Sequence, residues 1–455
     1  MAGAMTTNVM SLVRANSTEL PPVALVQLPF PSQSDPLPAL AAYYDAYNRE
    51  YAKLFPEYAV KTGDLWEAPL WVAHMDGAIG RPDTQLIDLS RARFVVEDCV
   101  GEIVERVAPP TLIFFSPLAQ NFSLAAAVSR HLISRGYRTV VGGNMSEFAS
   151  LKDFSTTHSG IVRQGIYATL TSSPGETIVN NPRRGKQAEP IGYAPTYRLL
   201  QHFAGRVPLV RLNASHGCLL ACSFCGDAWS RQLHLVDRTR LEAEVIEVRR
   251  TFPNTKIIYI GDKTFGQSEA AIQNLIHVIR PEYGFRLIVQ THVSLISPKL
   301  IDSMSTLGVE VVELGFESAS SSVLRELCKH GGAEIYRDAL KMLHASGLHV
   351  ILNILGGLPN ETSESHAATV RFLEATADDV WLYNLYNFVP YPKTPLYQGL
   401  KDRIVDWDFR NWREDQPVVF TPYTQTREAS WKQFLTLVEC ATALIEKRAT
   451  PTLNT

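Results

Sequence analysis

Three of the chain's six cysteines fall together in Ser215-His216-Gly217-Cys218-Leu219-Leu220-Ala221-Cys222-Ser223-Phe224-Cys225. Thiolates spaced C-x3-C-x2-C on one loop can each bind a different iron of a 4Fe-4S cubane, leaving the fourth iron without a protein ligand. Such an iron is open to a second molecule and can activate it. The rival assignment, a structural zinc ion, needs a fourth ligand at finger-like spacing. His216 is the nearest candidate for that ligand, and the rest of the chain holds no C-x-x-C pair. Cys99, Cys328 and Cys440 stand far apart and are expected to be buried small hydrophobes. This usage describes a metal site in a reducing compartment, the cytoplasm, and not a disulfide framework.

Such a loop has to be held by stiff elements. From Val207 to Val389, β-type apolar runs alternate with helical patterns, the mark of parallel β/α construction. Strands are expected at 207–213, 256–262, 286–292, 309–317, 349–355 and 379–389. Helices are expected at 241–252, 270–279, 298–307, 335–346 and 363–376, with Gly308 and Gly347 just past two of their ends. Right-handed crossovers curl strands of this kind into a partial (β/α)6 barrel, here residues 196–398, whose functional loops lie at the strands' C-terminal ends. The cysteine loop follows the first of these strands directly.

Residues 1–195 read differently. Apolar strands at 23–28, 111–116 and 138–141, with a helix over 124–135 that stops at Gly136, predict a doubly wound α/β domain. In such a domain ligands sit beyond the strands' C-terminal ends. Residues 36–110 mix helical signals with many tyrosines and scattered prolines and yield no assignment. The stretch 172–196, rich in Pro, Gly, Asn and Arg, predicts the connection between the two domains. Residues 399–455 form an extension with an amphipathic helix near 431–446. The first twenty residues read as a loose leader and not as a signal peptide. No window reaches the roughly 18 consecutive apolar residues of a membrane span. With 45% apolar residues, 20% charged residues and a net charge of -3, the composition is that of a soluble globular protein. The basic clusters Arg249–Arg250 and Arg183–Arg184–Lys186 read as solvated surface, and no nucleic-acid partner is expected.

The cysteine loop, its place after the first strand of a six-strand array, and Phe224 just before the last cysteine resemble the radical S-adenosylmethionine superfamily over about 207–397. The resemblance implies that the open iron chelates the amino and carboxylate groups of S-adenosylmethionine. It also implies that an electron from the cluster, supplied by a donor such as flavodoxin or ferredoxin, breaks a C–S bond to give a 5′-deoxyadenosyl radical. Weaker motifs follow in strand order. Gly261 and Asp262, in Ile260-Gly261-Asp262-Lys263, resemble the family's loop at the cosubstrate amino group. Glu317 resembles the polar residue that contacts the cosubstrate, and Gly356 and Gly357 resemble the glycines of the adenine-side loop. Gln290 and His292 end the third strand, where a lone histidine on an apolar strand is more often a satisfied core residue. Glu326 and Lys329 fit a solvated helix face.

The front domain resembles the cobalamin-binding subclass of that superfamily. The likeness rests on Val23–Leu28 followed by Pro29, on the 111–116 strand, and on Val140-Val141-Gly142-Gly143 before a polar loop. Ile161-Val162-Arg163-Gln164-Gly165 resembles the next strand, and Pro390–Tyr397 a segment near the end of the barrel. Gly142 and Gly143 are the expected cobalamin contacts, because a flat cofactor lying over strand ends needs close backbone approach. The chain departs from the subclass in having no D-x-H-x-x-G to offer a lower cobalt ligand, and a fold alone does not establish a ligand. The resemblance implies methyl transfer to a small-molecule or peptide substrate of a natural-product pathway. Two alternatives stand beside it: a rearrangement or cyclisation with the same cofactors, and a non-catalytic iron–sulfur redox protein.

Overall fold

The computed structural model describes residues 21–31, 37–57, 65–160, 162–172, 175–180, 192–226, 231–392 and 394–449. The leader and the Arg183–Lys186 cluster lie outside them. No helix among the described residues is long and apolar enough to cross a membrane.

The front sheet holds β1 (Val23–Gln27), β2 (Gln85–Asp88), β3 (Leu112–Phe115), β4 (Arg138–Val141), β5 (Thr156–Gly160) and β6 (Thr177–Asn180), all parallel, in the order β2-β1-β3-β4-β5-β6. Alternate side chains enter opposite cores, as period-two strands covered on both faces require. Leu25, Phe114 and Val140 join a core shared with the barrel. Ala24, Val26, Ile113, Phe115 and Val141 face a second core with α3 (Val96–Arg106) and α4 (Ala119–Ile133). This is a doubly wound domain.

Three expectations are corrected here. The strand after Gly143 is β5, Thr-Thr-His-Ser-Gly, since a buried polar strand carries no apolar signal; of the expected 161–165 strand, Ile161 lies outside the described residues and 162–165 form loop and turn. The connection read over 172–196 contains β6, an edge strand of the front sheet. The unassigned 36–110 region contains α1 (Pro38–Leu54), α2 (Leu70–Ile79), the edge strand β2, and α3. In α1 the residues Tyr43, Tyr47, Tyr51 and the following Phe55 recur every fourth position as one aromatic stripe.

The barrel sheet runs β14-β13-β12-β11-β10-β7 and is also wholly parallel. Its strands are β7 (Leu209–Leu212), β10 (Ile257–Ile260), β11 (Arg286–His292), β12 (Val309–Glu317), β13 (His349–Gly356) and β14 (Leu382–Asn387). A two-stranded antiparallel ribbon, β8 (Ser215–Gly217) and β9 (Leu233–Leu235), leads into and out of the cysteine loop. Side-chain caps start the crossover helices: Ser297 accepts from the Leu300 N–H, and Thr362 from the Ser365 N–H. Helix α1 closes the open side of the barrel, its Tyr51 stacked on Trp381 and its Tyr43 hydroxyl donating to the Tyr383 carbonyl at 2.5 Å. The C-terminal helix Arg427–Ala449, longer than the expected 431–446, lies along α1.

Tyr197, fully buried where the two domains join, donates its hydroxyl to Glu244 Oε1 at 2.6 Å. Burial pushes this carboxyl from 4.5 up to about 7, partly opposed by the Tyr197 bond and by Arg240. A raised carboxyl binds its proton more tightly when folded, so stability is fullest below pH 4.5 and falls as the pH rises towards 7. Glu244→Gln is therefore expected to raise stability at pH 8 by roughly 2–3 kcal/mol, with the gain fading towards pH 4. Denaturant melts of both proteins across that range measure it.

Candidate active site

The cysteine loop is fixed from both sides. Asp262, just past β10, is buried and accepts from the Ala214 N–H (2.7 Å), the Ser215 N–H (2.9 Å) and Ser215 Oγ (2.6 Å). Gly261 allows the close approach behind this, because its N–H reaches the Leu212 carbonyl at 2.7 Å and a Cβ there would sit 2.2 Å from Asn213 Oδ1. On the other side the Ser223 N–H donates to the Leu327 carbonyl (2.9 Å) and Ser223 Oγ to the Glu326 carbonyl (3.0 Å).

Cys218 and Cys222 are buried and Cys225 is half-buried. Cys218 Sγ accepts from Gln267 Nε2 (3.5 Å) and the Leu220 N–H (3.4 Å), and Gln267 Oε1 accepts from the Leu219 N–H (2.6 Å). Burial pushes the Cys222 thiol up to about 11, opposed by the nearby Lys329 cation. Such a thiol yields its proton readily only to a bound metal. Among the described residues no three His, Cys, Asp or Glu side chains crowd one point closely enough for a single ion. A cubane does not ask for that, since each thiolate binds a different iron. The all-thiol donor set on one sheltered loop fits a 4Fe-4S cluster.

Glu317 ends β12 with a left-handed backbone (φ 66), at a register irregularity against β13. Its carboxylate pairs with Lys329 at 2.7 Å, both side chains almost fully buried. Gly315 makes the room: a Cβ there would fall 2.7 Å from Lys329 Nζ and 3.0 Å from Glu317 Oε1. Lys329 Nζ also sits 5.9 Å from the centre of the Phe224 ring. The expected solvated face at Lys329 is thus replaced by a buried ion pair beside the thiols, whereas Cys328, expected buried, is exposed. Gly356 and Gly357 lie at the end of β13, packed against Phe434 and Asn387, and the Gly357 N–H donates to Glu361 at 3.0 Å. His292 is a satisfied core residue, with Nδ1 2.8 Å from Ser294 Oγ.

A cavity of about 480 Å³ joins the front sheet's strand ends to the cysteine loop. Ser116, Gly142, Gly143 and His158 line it from the front domain, and His216, Gly217 and Lys263 from the barrel. Gly143 adopts φ 80, and a Cβ there would meet Ser116 Oγ at 3.0 Å. The site also gathers histidines that carry no sequence motif: the His74 ring lies 5.7 Å from that of His216, which pairs across the ribbon with His234. Burial lowers His74 to about 4 and His216 to about 3, so both are neutral at pH 7.

Residues 212–373 match the family model of the Radical SAM superfamily. An uncharacterized methyltransferase of Pyrococcus horikoshii is 26% identical over 236 residues, 50% of this chain and 50% of that one. A hopanoid C-2 methylase of Rhodopseudomonas palustris is 22% identical over 56% of this chain and 48% of its own. The chain spans about half the length of these curated relatives. Among solved structures, the radical S-adenosylmethionine methyltransferase TsrM of Kitasatospora setae, with cobalamin and a [4Fe-4S] cluster bound, superposes with a TM-score of 0.60 at 16% identity, over 92% of this chain and 89% of that one.

Removing the Asp262 carboxylate leaves two buried N–H groups at the base of the cysteine loop unpaired, at a cost of about 1–3 kcal/mol each. Asp262→Ala is expected to lower the melting temperature and the iron retained per chain after anaerobic reconstitution. Iron content equal to that of the parent protein would refute the positioning role.

Proposed function

We propose that this chain, which carries a Radical SAM superfamily domain at residues 212–373, is a cobalamin-dependent radical S-adenosylmethionine methyltransferase acting on a small-molecule or peptide substrate. The observation that carries this reading is the cavity shared by the front sheet's strand-end glycines and the cysteine loop. It has the backbone approach that a flat macrocycle needs at Gly142 and Gly143, an apolar wall from Phe114, Val140 and Ile166, and a buried His234 Nε2 with no hydrogen-bond partner among the described residues. These features fit cobalamin.

When bound, the cluster supplies the electron that cleaves S-adenosylmethionine, and the corrin cobalt supplies a methyl carrier. The chain's own residues have distinct tasks. Cys218, Cys222 and Cys225 hold the cluster, while Asp262 and Gln267 fix the loop that carries them. Glu317, oriented by Lys329, would contact the cosubstrate at the strand ends together with the Gly261 and Gly357 turns. Phe224, between Cys222 and Cys225 with its ring near Lys329, would flank a bound cluster. The neutral imidazoles of His74 and His216 leave the cofactor cavity without added positive charge, and its apolar lining excludes water from reactive intermediates.

Cys218→Ala, Cys222→Ala or Cys225→Ala is expected to abolish both cluster assembly and 5′-deoxyadenosine formation, because two thiolates cannot fix the cubane. Full iron loading with undiminished cleavage in any of them sinks the cluster assignment. Gly143→Trp is expected to block cobalt uptake from hydroxocobalamin while leaving iron unchanged. Gly142→Leu, at an unstrained backbone position, is a gentler version of the same test. Equal cobalt in parent and variants counts against the cavity. Stoichiometric S-adenosylhomocysteine among the products marks methyl transfer, and its absence beside 5′-deoxyadenosine marks a rearrangement or cyclisation.

A further inference from the structure

A second cavity, of about 470 Å³, opens between α1, β14 and the segment Arg413–Asp415. Its walls carry four tyrosines, Tyr43, Tyr44 and Tyr47 from α1 and Tyr386 from β14. Tyrosine ring faces attract cations.

The charges around this space do not balance. Arg413 grips Asp415 through two bonds, Nε to Oδ1 at 2.8 Å and Nη2 to Oδ2 at 2.6 Å, so that pair is neutral overall. Glu414 lies between them in sequence and lines the cavity. Its carboxylate accepts from the Tyr391 hydroxyl at 3.3 Å and has no ion-pair partner among the described residues. Deeper in, Glu313 of β12 accepts from the Tyr259 hydroxyl at 2.9 Å. Arg211 is bonded to Glu67 and stacks over the Tyr259 ring at 4.1 Å; its charge offsets part of the cost of burying Glu313, without an ion pair between the two among the described residues. Glu313 stands behind the cavity wall, where its charge acts on the lining tyrosines Tyr47 and Tyr386. Burial pushes Glu313 above the usual carboxylate range, a cost that a cation in the lumen would offset.

We infer that this cavity receives the substrate as a small aromatic amine in its protonated form, with the tyrosines holding the ring system, Glu414 recognising the ammonium group, and Glu313 adding negative charge behind Tyr47 and Tyr386. Tyrosine walls distinguish an organic cation from a bare metal ion, which would be held by clustered oxygens alone. The inference rests on the reading that reaction occurs at the barrel mouth, with the other cavity left to the cofactor.

The test is isothermal titration of anaerobically reconstituted, full-length protein with S-adenosylmethionine present and cobalamin absent. Tryptamine and indole-3-propionate share one aromatic ring system and differ in the sign of their charge, so the pair isolates the ammonium group. Tryptamine is expected to bind at least about tenfold more tightly than indole-3-propionate. Glu414→Gln, at the cavity mouth, and Glu313→Gln, in the lumen, are each expected to weaken tryptamine by about tenfold with iron content unchanged. Equal binding of the two probes, preference for the carboxylate, no binding of tryptamine, or indifference to both substitutions overturns the inference. Cobalt uptake is measured on the same preparations. Amine binding without cobalt uptake removes the cofactor reading alone, and cobalt uptake without amine binding removes this inference alone.

Discussion

The Asp262 carboxylate does for the cysteine loop what no thiol can do for itself. Three thiols on a mobile loop would define no geometry, and ordering them at the moment of metal binding would cost conformational entropy. By accepting the Ala214 and Ser215 N–H groups and the Ser215 hydroxyl, Asp262 locks the start of the loop to the end of β10, two strands that are already paired in register. The close contact at Gly261 belongs to the same device, since any side chain there would displace Asn213. The motif that resembles a cosubstrate loop therefore also has a structural duty one step earlier, in holding the loop from which the cluster would hang.

The buried Glu317–Lys329 pair adds a second constraint. Two charges withdrawn from water are costly unless they stay together, so the pair fixes the end of β12 to the turn after α9 (Ser321–Glu326) as firmly as a packed side chain would. Glu317 holds a backbone conformation that non-glycine residues seldom adopt. Strain of about 1–3 kcal/mol persists only where the surroundings over-determine it. Here the surroundings are Lys329, the gap left by Gly315 and the irregular register with β13. The cost is concentrated beside the thiols, where an aimed carboxylate has a use.

The barrel was legible because most of its strands are apolar runs and two of its helices stop at Gly308 and Gly347: β11 and β12 were placed to the residue, and the first cysteine follows β7 as its sequence implied. The same rule hid β5, whose buried Thr-Thr-His-Ser-Gly forms ladder hydrogen bonds without contributing apolar bulk. It also hid β2 and β6, short edge strands that need only one neighbour. Lys329 was illegible for a different reason. Its burial is set by Glu317, twelve residues earlier, across a register irregularity that no local periodicity encodes. The stripe in α1 had a period that could have been read, but its tyrosines face the barrel's open side, which exists only once β13 and β14 are in place.

The two cavities differ in charge in a way that limits what each can hold. One is walled mainly by apolar side chains and glycines, with the His74 and His216 imidazoles kept neutral by burial and Lys263 as a cation on its barrel side, and so suits a large ligand held by shape and backbone approach. The other carries Glu414, without an ion-pair partner among the described residues, beside a self-neutralising Arg413–Asp415 pair and four tyrosine rings, and so disfavours an anion. S-adenosylmethionine, itself a sulfonium, would lie between them at the strand ends, where Glu317 is paired with Lys329 and Asp262 is engaged by the Ala214 and Ser215 N–H groups. The two cavities share no lining residue, so an amine that enters beside Glu414 and the tyrosines need not compete with the cofactor for one path.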